Sequence, residues 1–289
     1  MLRQALSRLE QAEALDGASD RIQAAVTSVV RPRTLRDLLH GTWLGHPLHP
    51  VLVQVPVGAF ISAAILDLLP ERLVPGSRKA ATALIAAGTA GVAPAAIAGW
   101  VDWSDMTKDR RRVGLVHAAT NAVAVTLYAS SLVARIRGRH AQGRTLAFAG
   151  LSVAGAGAYL GGHLSYAQGA GISHAAPEVS RVPEEWTEVS SLSSLPEGKP
   201  AVRRAGDVSV LLYRQGDRVT ALIERCSHEG GPLGEGDVES SGSDACVVCP
   251  WHGSTFRLTD GLVVHGPAAN DQPLLPVRVR DGHVEVRRP

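Results

Sequence analysis

The chain has 289 residues, 45% of them apolar, with 30 Gly, 17 Pro and 3 Cys, and its 29 Lys+Arg against 27 Asp+Glu leave a formal net charge of +2. Three cysteines cannot staple a chain of this length, the apolar fraction is too high for a disordered chain, and no basic excess marks a nucleic-acid binder. A mean hydropathy of +0.06 in a chain that is 19% charged requires that one part of it be very apolar.

Charge placement divides the chain. Residues 1–182 hold 18 Lys/Arg and 11 Asp/Glu, whereas residues 183–289 hold 11 and 16, so a basic half precedes an acidic one. No signal peptide opens the chain, because no basic start leads into an apolar core and a small-residue cleavage site. Leu2, Leu6, Leu9 and Ala12, then Ile22, Ala25, Val26 and Val29, instead fit one or two amphipathic helices over 1–45, separated at Gly17 and ended by Pro32.

Four stretches, 50–66, 80–101, 113–134 and 145–177, contain no Asp, Glu, Lys or Arg. A hydrocarbon core of about 30 Å is crossed by about 20 helical residues, so these stretches predict four membrane helices near 49–69, 79–101, 114–135 and 145–164. A soluble bundle of buried helices is the alternative, but such helices keep a polar face that these lack. Gly150, Ala154 and Ala158, with Gly157 and Gly161, give the fourth helix a close-packing stripe. Trp100 and Trp103 suit an interfacial belt, and no internal repeat is evident. Ten Lys/Arg flank the spans on the side of the termini and seven on the other, which predicts cytoplasmic termini in a bacterial inner (cell) membrane.

His49 opens the first span, Asp102 closes the second, His117 opens the third and His163 closes the fourth. Antiparallel spans place these four near one membrane face, while Asp67 lies at the other. Three readings of the cluster stay open: interfacial histidines that cap helices, a b-type haem held by two histidines, or a quinone or metal site. The strings His46-Pro47-Leu48-His49-Pro50 and Gly161-Gly162-His163-Leu164 resemble a bacterial four-helix membrane family of unknown function, covering 46–164. Residues 165–182, rich in Gly, Ala and Pro, read as a linker spanning about 23 Å as a flexible coil.

Residues 183–289 read as all-β. Val208–Tyr213 and Val219–Ile223 flank Gln215-Gly216-Asp217, and Leu275–Val279 and His283–Val286 flank Asp281-Gly282, two hairpin signals. The predicted fold is therefore an all-α four-helix membrane bundle followed by an all-β two-sheet sandwich or small barrel. Within it stand Cys226-Ser227-His228 and Cys249-Pro250-Trp251-His252-Gly253-Ser254-Thr255-Phe256.

C-x-H followed by C-x-x-H in this setting resembles the Rieske [2Fe–2S] domain, over the whole acidic half. The resemblance implies that Cys226 and Cys249 hold one iron and His228 and His252 the other. It implies further that Ser254 donates to a bridging sulfide, with Trp251 and Pro250 beside the ligands. Phe256 stands where higher-potential members carry a tyrosine, and Gly231 and Trp251 where they carry a disulfide. Both departures point to the ferredoxin type and a reducing compartment. Cys246 and Cys249 also form C-x-x-C, which a zinc site would use, but that reading leaves the CPWHGS string without a purpose. His265 and His283 read as solvated. The 37 residues after His252 are expected to form the remaining strands rather than an oxygenase's mononuclear iron domain.

The expected function is a membrane-anchored electron carrier without a catalytic domain of its own, linking a cytoplasmic redox partner to a membrane acceptor, which the bundle itself would supply as haem or quinone. The partner would be a reductase, an oxygenase or a respiratory component. The alternatives are a ferredoxin-like subunit of a membrane oxygenase or reductase complex, and a redox sensor.

Overall fold

A computed structural model describes residues 2–241 and 244–289. Its helices, in chain order, are α1 (Leu2–Glu10), α2 (Asp16–Val29), α3 (Arg33–His40), α4 (Leu48–Leu52), α5 (Gln54–Leu68), α6 (Ser77–Ser104), α7 (Lys108–Ile136), α8 (His140–Gly162) and α9 (Ala176–Val179). The strands are β1 (Thr187–Ser191), β2 (Pro200–Ala205), β3 (Val208–Gln215), β4 (Arg218–Ile223), β5 (Asp237–Ser241), β6 (Asp244–Val248), β7 (Thr255–Arg257), β8 (Val263–His265), β9 (Leu274–Leu275), β10 (Val277–Arg280) and β11 (His283–Val286). The chain forms two compact units, Met1–Arg31 with Leu48–Ala170, and Pro32–Pro47 with Gly171–Pro289.

In the helical unit, Leu48–Leu68, Ser77–Ser104, Lys108–Ile136 and His140–Ala167 are long and apolar enough to cross a membrane. The first is α4 and α5 run together, and the last ends in a π-helical turn, His163–Ala167. The start of α6 is capped by Glu71, whose carboxylate accepts the backbone N–H of Gly76 (2.8 Å) and of Arg78 (3.0 Å) and the Ser77 hydroxyl (2.9 Å). Those donors have no partner inside the helix, and their hydrogen bonds, Arg78 N–H first, hold the Glu71 carboxyl below its usual range. Phe60 and Tyr128 stack in the core, with ring centroids 3.6 Å apart and planes within 5°.

The N-terminal helices break elsewhere than predicted. Gly17 lies inside α2, and the chain turns through Glu13–Leu15 instead. This puts Asp16 at the start of α2, where both of its oxygens accept from Arg112 at 2.7 Å. Asp20 accepts from Arg111 at 2.7 Å, so α2 is ion-paired to the start of α7.

The second helix stops at Val29, just before Pro32 as predicted, but Pro32 is also the N-cap of a third helix, α3, which packs with the β strands. The expected flexible linker is also partly ordered. Residues from Gly171 onward belong to the β unit, whose apolar core takes Ala175 and Val182, and the His174 N–H donates to Ser227 O at 2.9 Å.

Among the described residues the β unit has three antiparallel sheets, in the orders β1-β11-β10, β2-β3-β4-β9 and β5-β6-β7-β8. Side chains alternate across a strand, and β3 buries both faces. Val208, Val210 and Leu212 enter one core with Val284 and Val286, while Leu211 and Tyr213 enter a second with Val247 and Phe256. The middle sheet is thus covered on both sides. The Gln215-Gly216-Asp217 hairpin pairs β3 with β4 as predicted. Leu275 belongs instead to β9, on a different sheet from β10, because Pro276 interrupts the run.

Candidate metal centre

Two loops carry the predicted residues, one between β4 and β5 and one between β6 and β7. They repeat one backbone pattern. Cys226 N–H donates to Gly231 O (2.8 Å) and Cys226 O accepts from Gly230 N–H (3.0 Å); Cys249 N–H donates to Ser254 O (2.8 Å) and Cys249 O accepts from Gly253 N–H (3.0 Å). Each cysteine therefore opens a turn closed by a glycine four residues on, and both glycines have φ of 75°, where a side chain is strained.

The two thiols are buried, unbridged and hydrogen-bonded to each other. Each also receives two backbone N–H groups, from His228 and Glu229 at Cys226 and from Trp251 and His252 at Cys249. The bond from Cys226, followed by those N–H groups, pulls the Cys249 thiol down to about 6, whereas the same bond, reinforced by burial, pushes the Cys226 thiol up.

The His228 and His252 rings lie 5.1 Å apart at 88°. A side chain at Gly231 would place its Cβ 2.9 Å from the Cys249 sulfur, so the thiol pair depends on glycine there. Among the described residues, no three His, Cys, Asp or Glu side chains converge as a single ion would require. Two soft thiolates and two imidazoles, with N–H groups already aimed at sulfur, are instead a donor set that fits a two-iron cluster.

The surroundings lock these loops. Ser254, fully buried, accepts the Ala268 N–H on its hydroxyl oxygen at 2.9 Å, which leaves its own O–H to donate. Phe256 is buried beneath, while Trp251 is 57% exposed and Pro250 exposed at the rim. Sequence reasoning missed Gln272. Its amide donates to Ile223 O (2.6 Å) and Arg225 O (2.8 Å) and accepts the Ser227 N–H (2.9 Å), tying the first loop to the end of β4. Only its near-total burial, 1% exposed, marks it, and nothing in the string of residues signals that.

Sequence reasoning also missed α3. Asp37 accepts from His265 Nδ1 at 2.8 Å and from the Gly266 N–H at 3.0 Å, and Arg33 donates to Thr255 Oγ1 at 2.9 Å. His265 is therefore paired rather than solvated. Cys246 lies in β6 with its sulfur toward Asp244 O, apart from the thiol pair.

The membrane candidates separate. The His49 and His117 rings lie 6.4 Å apart, almost perpendicular at 82°. His163 turns away and pairs with Glu10 at 2.8 Å. Asp102 lies in the last turn of α6. Asp67 meets Arg135 in a buried pair, with side chains 5% and 1% exposed and one N–H···O at 3.0 Å.

Paired Cys/His loops at the tips of small antiparallel sheets define the Rieske class. The chain belongs to the Rieske [2Fe-2S] domain family, whose model matches residues 185–278, and residues 45–174 match the family described as predicted membrane protein (DUF2231). It is 34% identical over 102 residues to the anthranilate 1,2-dioxygenase ferredoxin subunit of Burkholderia cepacia, covering 35% of this chain and 91% of that one. It is 32% identical over 98 residues to the 3-phenylpropionate/cinnamic acid dioxygenase ferredoxin subunit of Escherichia coli (strain K12), covering 34% and 89%. A solved ferredoxin of carbazole 1,9a-dioxygenase from Nocardioides aromaticivorans IC177 superposes with a TM-score of 0.34 at 24% identity, covering 37% of this chain and all of that one. The chain is an electron-transfer Rieske protein with a [2Fe–2S] cluster and a membrane domain.

Proposed function

We propose that Cys226 and Cys249 hold one iron through thiolates, that His228 and His252 hold the other, and that the chain passes single electrons between a cytoplasmic redox protein and a membrane acceptor. The observation that carries this is the matched pair of loops, each presenting a buried thiol, two N–H groups aimed at it and an imidazole. A bound cluster supplies a one-electron couple above that of four-cysteine ferredoxins.

The chain's own residues set its direction. The thiols are buried, whereas His252 and Trp251 are exposed, so the imidazole side is where a partner approaches. Ser254 offers an O–H toward the loops, and Phe256 offers none, which favours the lower end of the Rieske range. Gly231 and Trp251, at the positions where higher-potential members carry a disulfide, and the Lys/Arg excess beside the termini support a cytoplasmic face of a bacterial inner membrane.

The names of the similar ferredoxin subunits favour a second reading, in which the chain serves an oxygenase or reductase on another polypeptide. Detergent-purified chain should contain acid-labile sulfide and, once reduced, give the Rieske EPR signal. His228→Ala and His252→Ala should each lose that signal. Absence of labile sulfide from folded protein overturns the reading. A soluble oxygenase that is reduced by the chain at catalytic rates selects the second.

A further inference from the structure

The helical unit contains a duplication that its sequence hides. His49 meets His117, Phe60 meets Tyr128 and Asp67 meets Arg135, and every pair is 68 residues apart. The first members lie on α4–α5 and the second on α7. The partner helices repeat at a second constant offset, 62 residues. Gly88 faces Phe60 as Gly150 faces Tyr128, and Gly99 faces His49 as Gly161 faces His117.

With α6 returning between them, α5 and α7 run in the same direction. Two parallel helices whose equivalent residues touch are related by a twofold axis along the bundle, an arrangement known among membrane folds. The two histidines therefore face each other across that axis.

Each imidazole is held in the same way. His49 Nδ1 is 2.7 Å from Ala95 O and His117 Nδ1 is 2.8 Å from Gly157 O, and in each case the ring lies against the glycine four residues after that carbonyl. A carbonyl oxygen has no hydrogen to give, so Nδ1 carries the proton and Nε2 carries the lone pair. A backbone carbonyl on the far nitrogen is the usual support of a metal-bound histidine.

We propose that His49 and His117 are the two axial ligands of a haem iron, bound through their Nε2 atoms on the twofold axis of the bundle. Metal–nitrogen bonds of about 2.0–2.1 Å on both sides, with the ring radii added, account for the 6.4 Å between ring centroids. The donor count selects haem over a bare ion. No third His, Cys, Asp or Glu converges here among the described residues. A bare zinc-like ion needs four ligands, whereas a tetrapyrrole supplies four and leaves two axial positions. The neutral Asn121 amide lies 3.3 Å from His117 Nε2, a contact that ligation would displace, whereas the Nε2 of His163 is held by the Glu10 carboxylate at 2.8 Å, which excludes His163.

The proposal stands apart from the cluster reading, since its signals are a Soret band and an α band rather than labile sulfide. Full-length chain purified in detergent should carry one tetrapyrrole, low-spin and six-coordinate, with a sharp α band on reduction. His117→Gly and His49→Gly should each lose the six-coordinate spectrum, and added imidazole should restore it, which a folding defect would not allow. His163→Ala should leave the spectrum unchanged. Chain that contains no tetrapyrrole and takes up no haemin saturably overturns the proposal, as does bound metal without tetrapyrrole. Loss of the spectrum in His163→Ala, with retention in His117→Gly, also overturns it.

Discussion

Ser254 holds one observed hydrogen bond and is proposed to make a second, and one substitution tests both. Its oxygen accepts the Ala268 N–H and its hydrogen is left for the loops. Ser254→Ala should lower the reduction potential, because one donor toward the cluster is gone. It should also destabilise the domain by about 1–3 kcal/mol, the cost of a buried N–H left unpaired. A redox titration followed by EPR and a chemical melt read the two effects independently. A stability loss at unchanged potential would show that the hydroxyl only positions Ala268. The opposite outcome is expected at Tyr128. Its hydroxyl is buried without a hydrogen-bond partner among the described residues. Tyr128→Phe keeps the stacked ring and removes an unsatisfied group, so it should gain about 1 kcal/mol, measured as a higher melting temperature in detergent.

At the scale of elements, the N-terminal helices are held to the bundle by charge. The Arg112 guanidinium, hydrogen-bonded to both Asp16 oxygens, keeps that carboxyl below its usual value of 3.8. A carboxyl depressed in the folded state stabilises above its unfolded pKa and loses that contribution as pH falls through the folded value. Release of α1 and α2 is therefore expected only below pH 3.8, and not on the alkaline side. Proteolysis between α2 and α3 across a pH series would show it. Release that begins near neutrality would show that Asp16 is not the latch. The four spans were legible because charge-free length is a direct signature of the bilayer. The break after α1 was not, because Gly17 is tolerated in the first turn of α2 once Asp16 pairs with a helix distant in sequence. The repeat was hidden for a related reason. A twofold contact constrains size and complementarity rather than identity, so Phe60 can oppose Tyr128, and Asp67 can oppose Arg135.

For the molecule as a whole, the centre was legible and its support was not. Two thiols and two imidazoles at characteristic spacings name their chemistry from sequence. Gln272 and Asp37 do not, because a buried amide and a helix-borne carboxylate gain meaning only from what the fold brings to them. Asp37 also shows how the β unit is assembled. That unit takes Pro32–Pro47 from between two segments of the helical unit, so it is not encoded by one continuous stretch. Asp37 is 14% exposed on its side chain, accepts two hydrogen bonds and pairs with His265, and Gly266 sits against His40. Hydrogen bonds to a charged group are worth about 1.5–3 kcal/mol each. A fragment of residues 171–289, which keeps both cysteine loops, should therefore load its cluster yet melt below the full β unit. A peptide of residues 32–47 added in excess should raise that melting point, by mass action on the folded state, and the Asp37→Asn peptide should raise it less. A fragment indifferent to the peptide would mean that α3 rests on the β unit without contributing to its stability.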